Sequence, residues 1–447
     1  MSSPGSVDPK PSTLRRLAIS GAGWTLLRFG GQNLLRLGGN LVLTRLLFPE
    51  AFGLMALVTV TLEALELFSD VGLQQSIVTN PRGAELRFLR TLWTVQIVRG
   101  CAIFVILLAI SSPVAQIYGE PTLAGMLALS SVTALLRGFT SMRVALLRRQ
   151  LAIGRMAILD LSVQAVGLAI TLIYGWIHPT VWVLPAGAVA GRALFCVASH
   201  LWIPGPTMGF AWDAQVRLEV IRFGRWIFIS SILGYLVNSL DRILLGYTVS
   251  MAELGTYTIA LMLVRVVLQV ERRLRDEVMY PVIARMAEVP EAQWRRALTQ
   301  ARLGILCVTH PTLVGLAVFG PELIDLLYDD RYAGAGWMLQ VLAAGFLVKT
   351  TMEPADSVLL ARSDSFGFMQ VLAVRSSVLT VAMGLAAWAF GVAGLVATVA
   401  FAETLAYPAV IRAVRPHKAW LPALDAAALA VAFACLGLGL FLKARWL

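Results

Sequence analysis

The chain has 447 residues, of which 58% are hydrophobic and 14% charged, with a net charge of +11 and a mean hydropathy of +0.76. Soluble domains carry nearer about 25% charge, so a soluble enzyme is excluded and an all-α polytopic membrane protein is indicated. The positive residues are scattered between apolar segments rather than clustered, which excludes a nucleic-acid partner.

Residues 1–14 are rich in Pro and Ser, and the spacing predicts a short disordered cytoplasmic tail over 1–20. No charged n-region, compact apolar core and small-residue cleavage site opens the chain, so the first apolar stretch is expected to be a retained span. Windows of about twenty apolar residues predict spans over 21–43, 52–73, 88–110, 123–146, 156–177, 182–202, 224–246, 254–274, 302–320, 335–360, 368–390, 392–411 and 421–442. They group as a six-span bundle over 21–202, a cytoplasmic linker over 203–223, a second six-span bundle over 224–412 and one additional span within 413–447. With the N-terminus inside, Lys and Arg crowd the inner segments, while only Arg45, Arg331, Lys443 and Arg445 fall outside. That asymmetry follows the positive-inside rule, though the last span leaves two basic residues on the outer face. The inner segment 275–301, with its Trp and paired arginines, reads as a membrane-surface helix or as a solvated connector. Four cysteines fall singly inside spans, with no CxxC, and read as inert buried thiols.

The halves echo one another. Arg28–Gly30 (RFG) leads to Glu50–Leu57 (EAFGLMAL), and Arg222–Gly224 (RFG) leads to Ala252–Ala260 (AELGTYTIA). Later, Leu146–Met156 (LLRRQLAIGRM) matches Leu359–Met369 (LLARSDSFGFM). Six spans per half is even, so both copies share one orientation and should be related by an axis along the membrane normal.

Charge inside the spans is the strongest signal. Arg28, Arg36, Arg99, Arg137, Arg192 and Arg265 each sit within an apolar run. A charge near the bilayer centre costs roughly 2.5–3.5 kcal/mol. Six unpaired would cost roughly 15–20 kcal/mol, against a typical net stability of about 5–15 kcal/mol. Such side chains either pair with buried acids or line a wet cationic cavity that receives an anion. Span one carries Arg28, Gln32, Arg36 and Asn40 at four-residue steps, one slanting polar stripe that reads as cavity lining or as structural pairing. Gly31 and Gly38 lie on another side, suited to close helix packing. Span two carries Glu63, Glu66 and Asp70 on one face, either a proton or sodium coupling site or counter-charges for Arg28, Arg36, Arg99 or Arg137. Lys349 and Glu353 read as a local helix pair, Asp241–Arg242 is ambiguous, Arg375 lies near the inner end of span eleven, and Asp160 and Glu403 are lone acids without a role. Guanidinium groups bind phosphate oxygens bidentately, so an arginine-rich cavity suits a pyrophosphate or an acidic sugar better than a cationic drug.

Four stretches carry a family resemblance: Asn40–Val58 (NLVLTRLLFPEAFGLMALV), Phe68–Thr79 (FSDVGLQQSIVT), Ala145–Leu161 (ALLRRQLAIGRMAILDL) and Leu326–Ala343 (LLYDDRYAGAGWMLQVLA). Through them, and up to about residue 412, the chain resembles the Wzx-type oligosaccharide and polysaccharide flippases of the multidrug/oligosaccharidyl-lipid/polysaccharide exporter superfamily. The resemblance implies two six-helix bundles in a pseudo-two-fold V shape around a cationic central cavity. It also implies transfer of an undecaprenyl-diphosphate-linked oligosaccharide from the cytoplasmic to the outer leaflet of the bacterial inner membrane by alternating access. Partners it implies are a polysaccharide polymerase and a chain-length regulator, with no cofactor. Related lipid II flippases place working arginines at positions that only Arg28, Arg36, Arg45 and Arg265 match here.

The expected binding set is therefore Arg28, Gln32, Arg36, Asn40, Arg45, Arg99, Arg137, Arg192 and Arg265, with no metal site. Two other classes are weighed. A multidrug exporter of the same superfamily would favour acids in span one, which has none. A membrane polymerase or ligase would be expected to have a long outer loop, whereas the longest here is about 320–334, and His178 reads as a turn residue.

Overall fold

A computed structural model of the chain describes residues 11–69, 72–150, 152–280, 283, 289–362 and 364–446. Every regular element among them is helical: α1 (Pro11–Leu46), α2 (Pro49–Phe68), α3 (Leu73–Thr79), α4 (Leu86–Tyr118), α5 (Pro121–Phe139), α6 (Arg143–Arg149), α7 (Ile153–Ile177), α8 (Val183–Leu201), α9 (Ala214–Thr248), α10 (Met251–Leu274), α11 (Glu291–Leu327), α12 (Ala335–Met352), α13 (Pro354–Ala361), α14 (Ser365–Val414) and α15 (Pro422–Trp446). With no water in the hydrocarbon core, the helix satisfies every backbone group internally. Ten helical segments among the described residues are long and apolar enough to cross a bilayer. The predicted spans 21–43 and 224–246 fall on α1 and α9, and 335–360 falls on α12 and α13. The chain is a multi-pass, all-helical membrane protein.

Element ends differ from the sequence expectation where local chemistry intervenes. Helix α1 begins at Pro11, inside the stretch read as a tail, and α9 begins at Ala214, inside the stretch read as a linker. The tenth span ends at Met352, because Pro354 offers no amide to continue the ladder and instead opens α13. Residues Glu291–Ala301, part of the expected surface helix, are continuous with the ninth span in α11. Gly391 adopts φ 58°, a left-handed conformation open to glycine, and breaks α14 into the two predicted spans. A capping box starts α10: the Ser250 hydroxyl accepts from the Glu253 amide, and the Glu253 carboxylate accepts from the Ser250 amide.

The chain divides into two compact units. Unit 1 comprises Met1–Leu46, Ser69–Gln116 and Glu120–Phe228; unit 2 comprises Leu47–Phe68, Ile117–Gly119 and Ile229–Leu447. In unit 1, α1 packs along α7 through Gly31 against Leu161 and Gly39 against Leu168, so that Gly39 rather than Gly38 makes the second close approach. In unit 2, α2 crosses α10 at Gly53 and Gly255. A Cβ on Gly53 would lie 2.0 Å from the Met251 carbonyl oxygen, and one on Gly255 would lie 1.9 Å from the Pro49 carbonyl oxygen. Gly53 and Gly255 are the matching glycines of EAFGLMAL and AELGTYTIA, so the two copies of the repeat touch each other at the same residue.

The four stretches that carry the family resemblance also meet in pairs. In unit 1, the Arg149 guanidinium donates to the carbonyls of Ile77 (2.6 Å), Asn80 (2.6 Å) and Pro81 (3.3 Å), capping the open end of α3. In unit 2, fully buried Tyr332 donates to the Leu47 carbonyl (3.1 Å) and meets Phe52 edge to face. Arg331 lies 4.8 Å over the Phe48 ring and bridges to Asp329. These contacts hold loops to helix ends.

Candidate functional site

Unit 1 holds most of the residues expected to bind cargo. On α1, the Arg28 guanidinium pairs with Asp160 of α7 at 2.5 Å, with side chains 26% and 16% exposed. The lone acid of the fifth span is thus the counter-charge of the first. One turn on, the Gln32 backbone carbonyl accepts from the Gln164 side-chain amide (3.0 Å), fastening α1 to α7 a second time. Arg36 and Arg45 are exposed, Asn40 is half-buried, and Arg36 donates within its own helix to Asn33 (2.8 Å). From other helices, Arg99 donates to the Ser69 hydroxyl (2.9 Å), exposed Arg137 closes α5, and Arg192 sits 5.9 Å from the Phe195 ring. These arginines, exposed or half-buried, bring positive charge to α1, α4, α5 and α8 of unit 1.

Unit 2 holds Arg265, Glu63 and Glu66, while Asp70 lies outside the described residues. Arg265 donates to the Asn238 carbonyl at 3.0 Å. Glu63, 42% exposed, faces Arg242 at 3.5 Å. Among the described residues, α9 thus supplies a counter-charge to Glu63. Behind this pair, Asp241 accepts from the Tyr257 hydroxyl at 2.6 Å, and Tyr235 donates to the Val60 carbonyl at 2.9 Å.

Sequence reasoning passed over a larger charged network deeper in unit 2. Glu403 lies between Lys349 (3.6 Å) and Arg375 (3.1 Å), and Arg375 also reaches Asp356 (2.9 Å). Lys349 is 3.9 Å from Glu353, which accepts from Arg275 at 3.1 Å. The i,i+4 spacing of Lys349 and Glu353 was visible in the sequence, but Glu403 and Arg375 come from distant segments and only folding unites them. A cavity of about 60 Å³ opens beside the network, lined by Asn238, Asp241, Arg265, Lys349, Arg375 and Glu403 with apolar neighbours. That volume takes a few waters, far less than a diphosphate and its sugars. The additional helix α15 is tied in by a buried pair, Arg302 to Asp425 at 2.5 Å, and by Lys443 reaching Glu322 at 2.6 Å. Lys443 is thereby paired with an acid of α11. Between α11 and α15 runs an apolar groove of about 610 Å³, walled by residues such as Leu303, Val314, Phe319, Ala428 and Val431.

Residues 42–336 match the profile of a family described as polysaccharide biosynthesis protein. The lipopolysaccharide biosynthesis protein WzxC of Escherichia coli (strain K12) is 23% identical over 357 residues, 78% of this chain and 71% of the relative. The teichuronic acid biosynthesis protein TuaB of Bacillus subtilis (strain 168) is 21% identical over 66% of this chain and 61% of its own length. The succinoglycan biosynthesis transport protein ExoT of Rhizobium meliloti (strain 1021) is 20% identical over 74% of this chain and 67% of its own length. Among solved structures, the lipid II flippase MurJ in an inward closed conformation superposes with a TM-score of 0.65 at 10% identity, covering 97% of this chain and 93% of that one. An inward-facing multidrug transporter of the MATE family superposes with a TM-score of 0.64 at 11% identity, covering 91% of this chain and 95% of that one. At these identities the superpositions establish the all-helical, two-lobe fold.

Proposed function

Because the chain belongs to the polysaccharide biosynthesis protein family, we propose that it is a flippase for oligosaccharides linked to undecaprenyl diphosphate, moving them from the inner to the outer leaflet by alternating access. The observation that carries this reading is the row of exposed and half-buried cationic and amide side chains on α1, Arg28, Gln32, Arg36, Asn40 and Arg45. Planar guanidinium donors match diphosphate oxygens in pairs, and Gln and Asn side chains suit sugar hydroxyls. The named relatives act in the making of lipopolysaccharide, teichuronic acid and succinoglycan, which favours a glycan cargo over a drug. The apolar groove between α11 and α15 is of a size that receives a hydrocarbon chain. Transport requires that cargo bind the inward and outward states with different free energies; a clamp of several arginines, some held by internal partners such as Asp160, provides contacts that can be exchanged.

The test is surface polysaccharide in the native host carrying Arg36→Ala or Arg36→Lys as the only copy. Removing a charge-assisted diphosphate contact costs about 1.5–3 kcal/mol, so export through Arg36→Ala should fall about ten- to a hundredfold at unchanged membrane abundance, with Lys in part restoring it. Undiminished export by Arg36→Ala overturns the clamp.

A further inference from the structure

Helix α8 ends at Leu201, and the chain then runs without regular structure to Asp213, where α9 follows. The 19 residues of α8 extend about 28 Å, close to the ~30 Å thickness of bilayer hydrocarbon, so Leu201 marks one edge of that layer. The segment after it stays at the edge, because unit 1 grips it along its length. Arg143 at the start of α6 donates to the carbonyls of His200 (2.6 Å), Ile203 (2.9 Å) and Pro206 (2.9 Å). Arg90 on α4 donates to the Thr207 carbonyl (3.3 Å), and the Ala211 amide donates to the Thr94 hydroxyl (3.1 Å). Ile203 is buried in an apolar cluster with Leu147, Met156 and Leu159, Met208 packs onto the core around Phe88 and Leu89, and Phe210 leans on Trp93 at 5.4 Å.

The side turned away from the bundle is apolar as well. Leu201, Trp202, Phe210 and Trp212 are each more than half exposed. A linker in water gains nothing by displaying such a patch, whereas aromatic rings are enriched where hydrocarbon meets lipid headgroups. The backbone suits the same place, since four of its carbonyls are met by guanidinium donors instead of being left to water. Charge points the same way. Arg82 faces Glu85 at 3.2 Å and Arg87 faces Asp213 at 3.0 Å. The guanidinium groups of Arg90 and Arg143, among the described residues, meet carbonyls and no carboxylate, which leaves this edge of unit 1 with a positive surplus. Anionic headgroups are its complement.

We propose that residues 202–213 are a lipid-binding strap: the rings of Trp202, Phe210 and Trp212 lie in the headgroup layer, and the arginines beneath them recruit the phosphate of an anionic phospholipid. The stretch read from sequence as a cytoplasmic linker is thus part of the membrane-contacting surface of unit 1. Its occupant is a lipid of the surrounding bilayer and not the transported molecule, so the strap stands whatever cargo the protein carries.

The experiment uses the full chain in vesicles of equal phosphatidylglycerol and phosphatidylcholine, with exposed Phe210 replaced by a diazirine-bearing phenylalanine. After illumination the protein is weighed intact. Phospholipid adducts are expected, with phosphatidylglycerol exceeding phosphatidylcholine about fivefold, the bias that one basic residue near a membrane surface confers. Arg87→Gln in the same chain should lower that ratio several-fold while the total of lipid adducts holds. Water adducts alone overturn the proposal, as does a crosslink to a protein chain in place of lipid. Equal capture of the two lipids, or a ratio unmoved by Arg87→Gln, also overturns it by removing the anionic headgroup. If Arg87→Gln does not fold, the ratio in the chain that keeps Arg87 decides.

Discussion

The Arg28–Asp160 pair shows why single charges in membrane helices are hard to interpret alone. Read separately, each looked expensive; together, 2.5 Å apart, they neutralise one another and fasten α1 to α7. A double-mutant cycle over Arg28→Ala and Asp160→Ala should yield a coupling of about 0.5–3 kcal/mol in unfolding experiments, and Asp160→Asn alone should be more damaging than the double variant because it strands a cation. In unit 2, Tyr332→Phe removes one buried hydroxyl donor to Leu47 and should cost about 1 kcal/mol, visible as a small drop in thermal midpoint. Outside the membrane, Asp364 accepts from the Gly367 amide (2.8 Å) and lies 2.9 Å from His417. The His417 contact, then the Gly367 amide, hold its carboxyl below the usual carboxylate range. A depressed carboxyl stabilises above its unfolded value and loses that effect as pH falls through the folded one. The protection factor of the Gly367 amide, its exchange rate corrected for the intrinsic pH dependence, should therefore fall on acidification and be low at all pH values in Asp364→Ala.

At the scale of elements, the sequence spoke clearly about where helices lie and poorly about what their polar residues touch. Apolar windows located the spans, since a helix long enough to cross a bilayer leaves a long uninterrupted signal. Even the Gly391 break, one residue wide, fell between two predicted spans. Boundaries drifted at Pro11, Ala214 and Met352, where polar residues continue a helix beyond the apolar stretch or a proline ends it early. The partners of Asp160, Glu63 and Glu403 were not legible, because each lies on a segment whose neighbour is fixed by tertiary packing rather than by spacing. Gly31 was a readable close-packing site, whereas Gly38 and Gly39 are adjacent and only the helix rotation chooses between them. Packing at the Gly53–Gly255 crossing leaves no room for a methyl group. Gly53→Ala or Gly255→Ala should each cost about 1–3 kcal/mol by forcing the backbones apart, measured as lost thermal stability in detergent.

For the molecule as a whole, composition and loop charge identified the class, and four short stretches identified the family. Those stretches proved to be joints: Arg149 on α3, Tyr332 on Leu47. The orientation inferred from loop charge places Asp330 outside and Asp213 inside. With the four native cysteines replaced, a membrane-impermeant thiol reagent applied to whole cells should label Asp330→Cys and spare Asp213→Cys; the reverse pattern would invert the topology.

The meeting of Gly53 and Gly255 binds two duplicated segments into a single evolutionary unit. After an ordinary duplication, either daughter is free to drift while the other keeps its residue. Here each glycine sits against the carbonyl chain of its sibling's helix, so vacating one side never makes room on the other. Neither daughter can exchange its glycine for a bulkier residue by compensation from its twin, and the ancestral symmetry stays locked at that point after it has blurred nearly everywhere else.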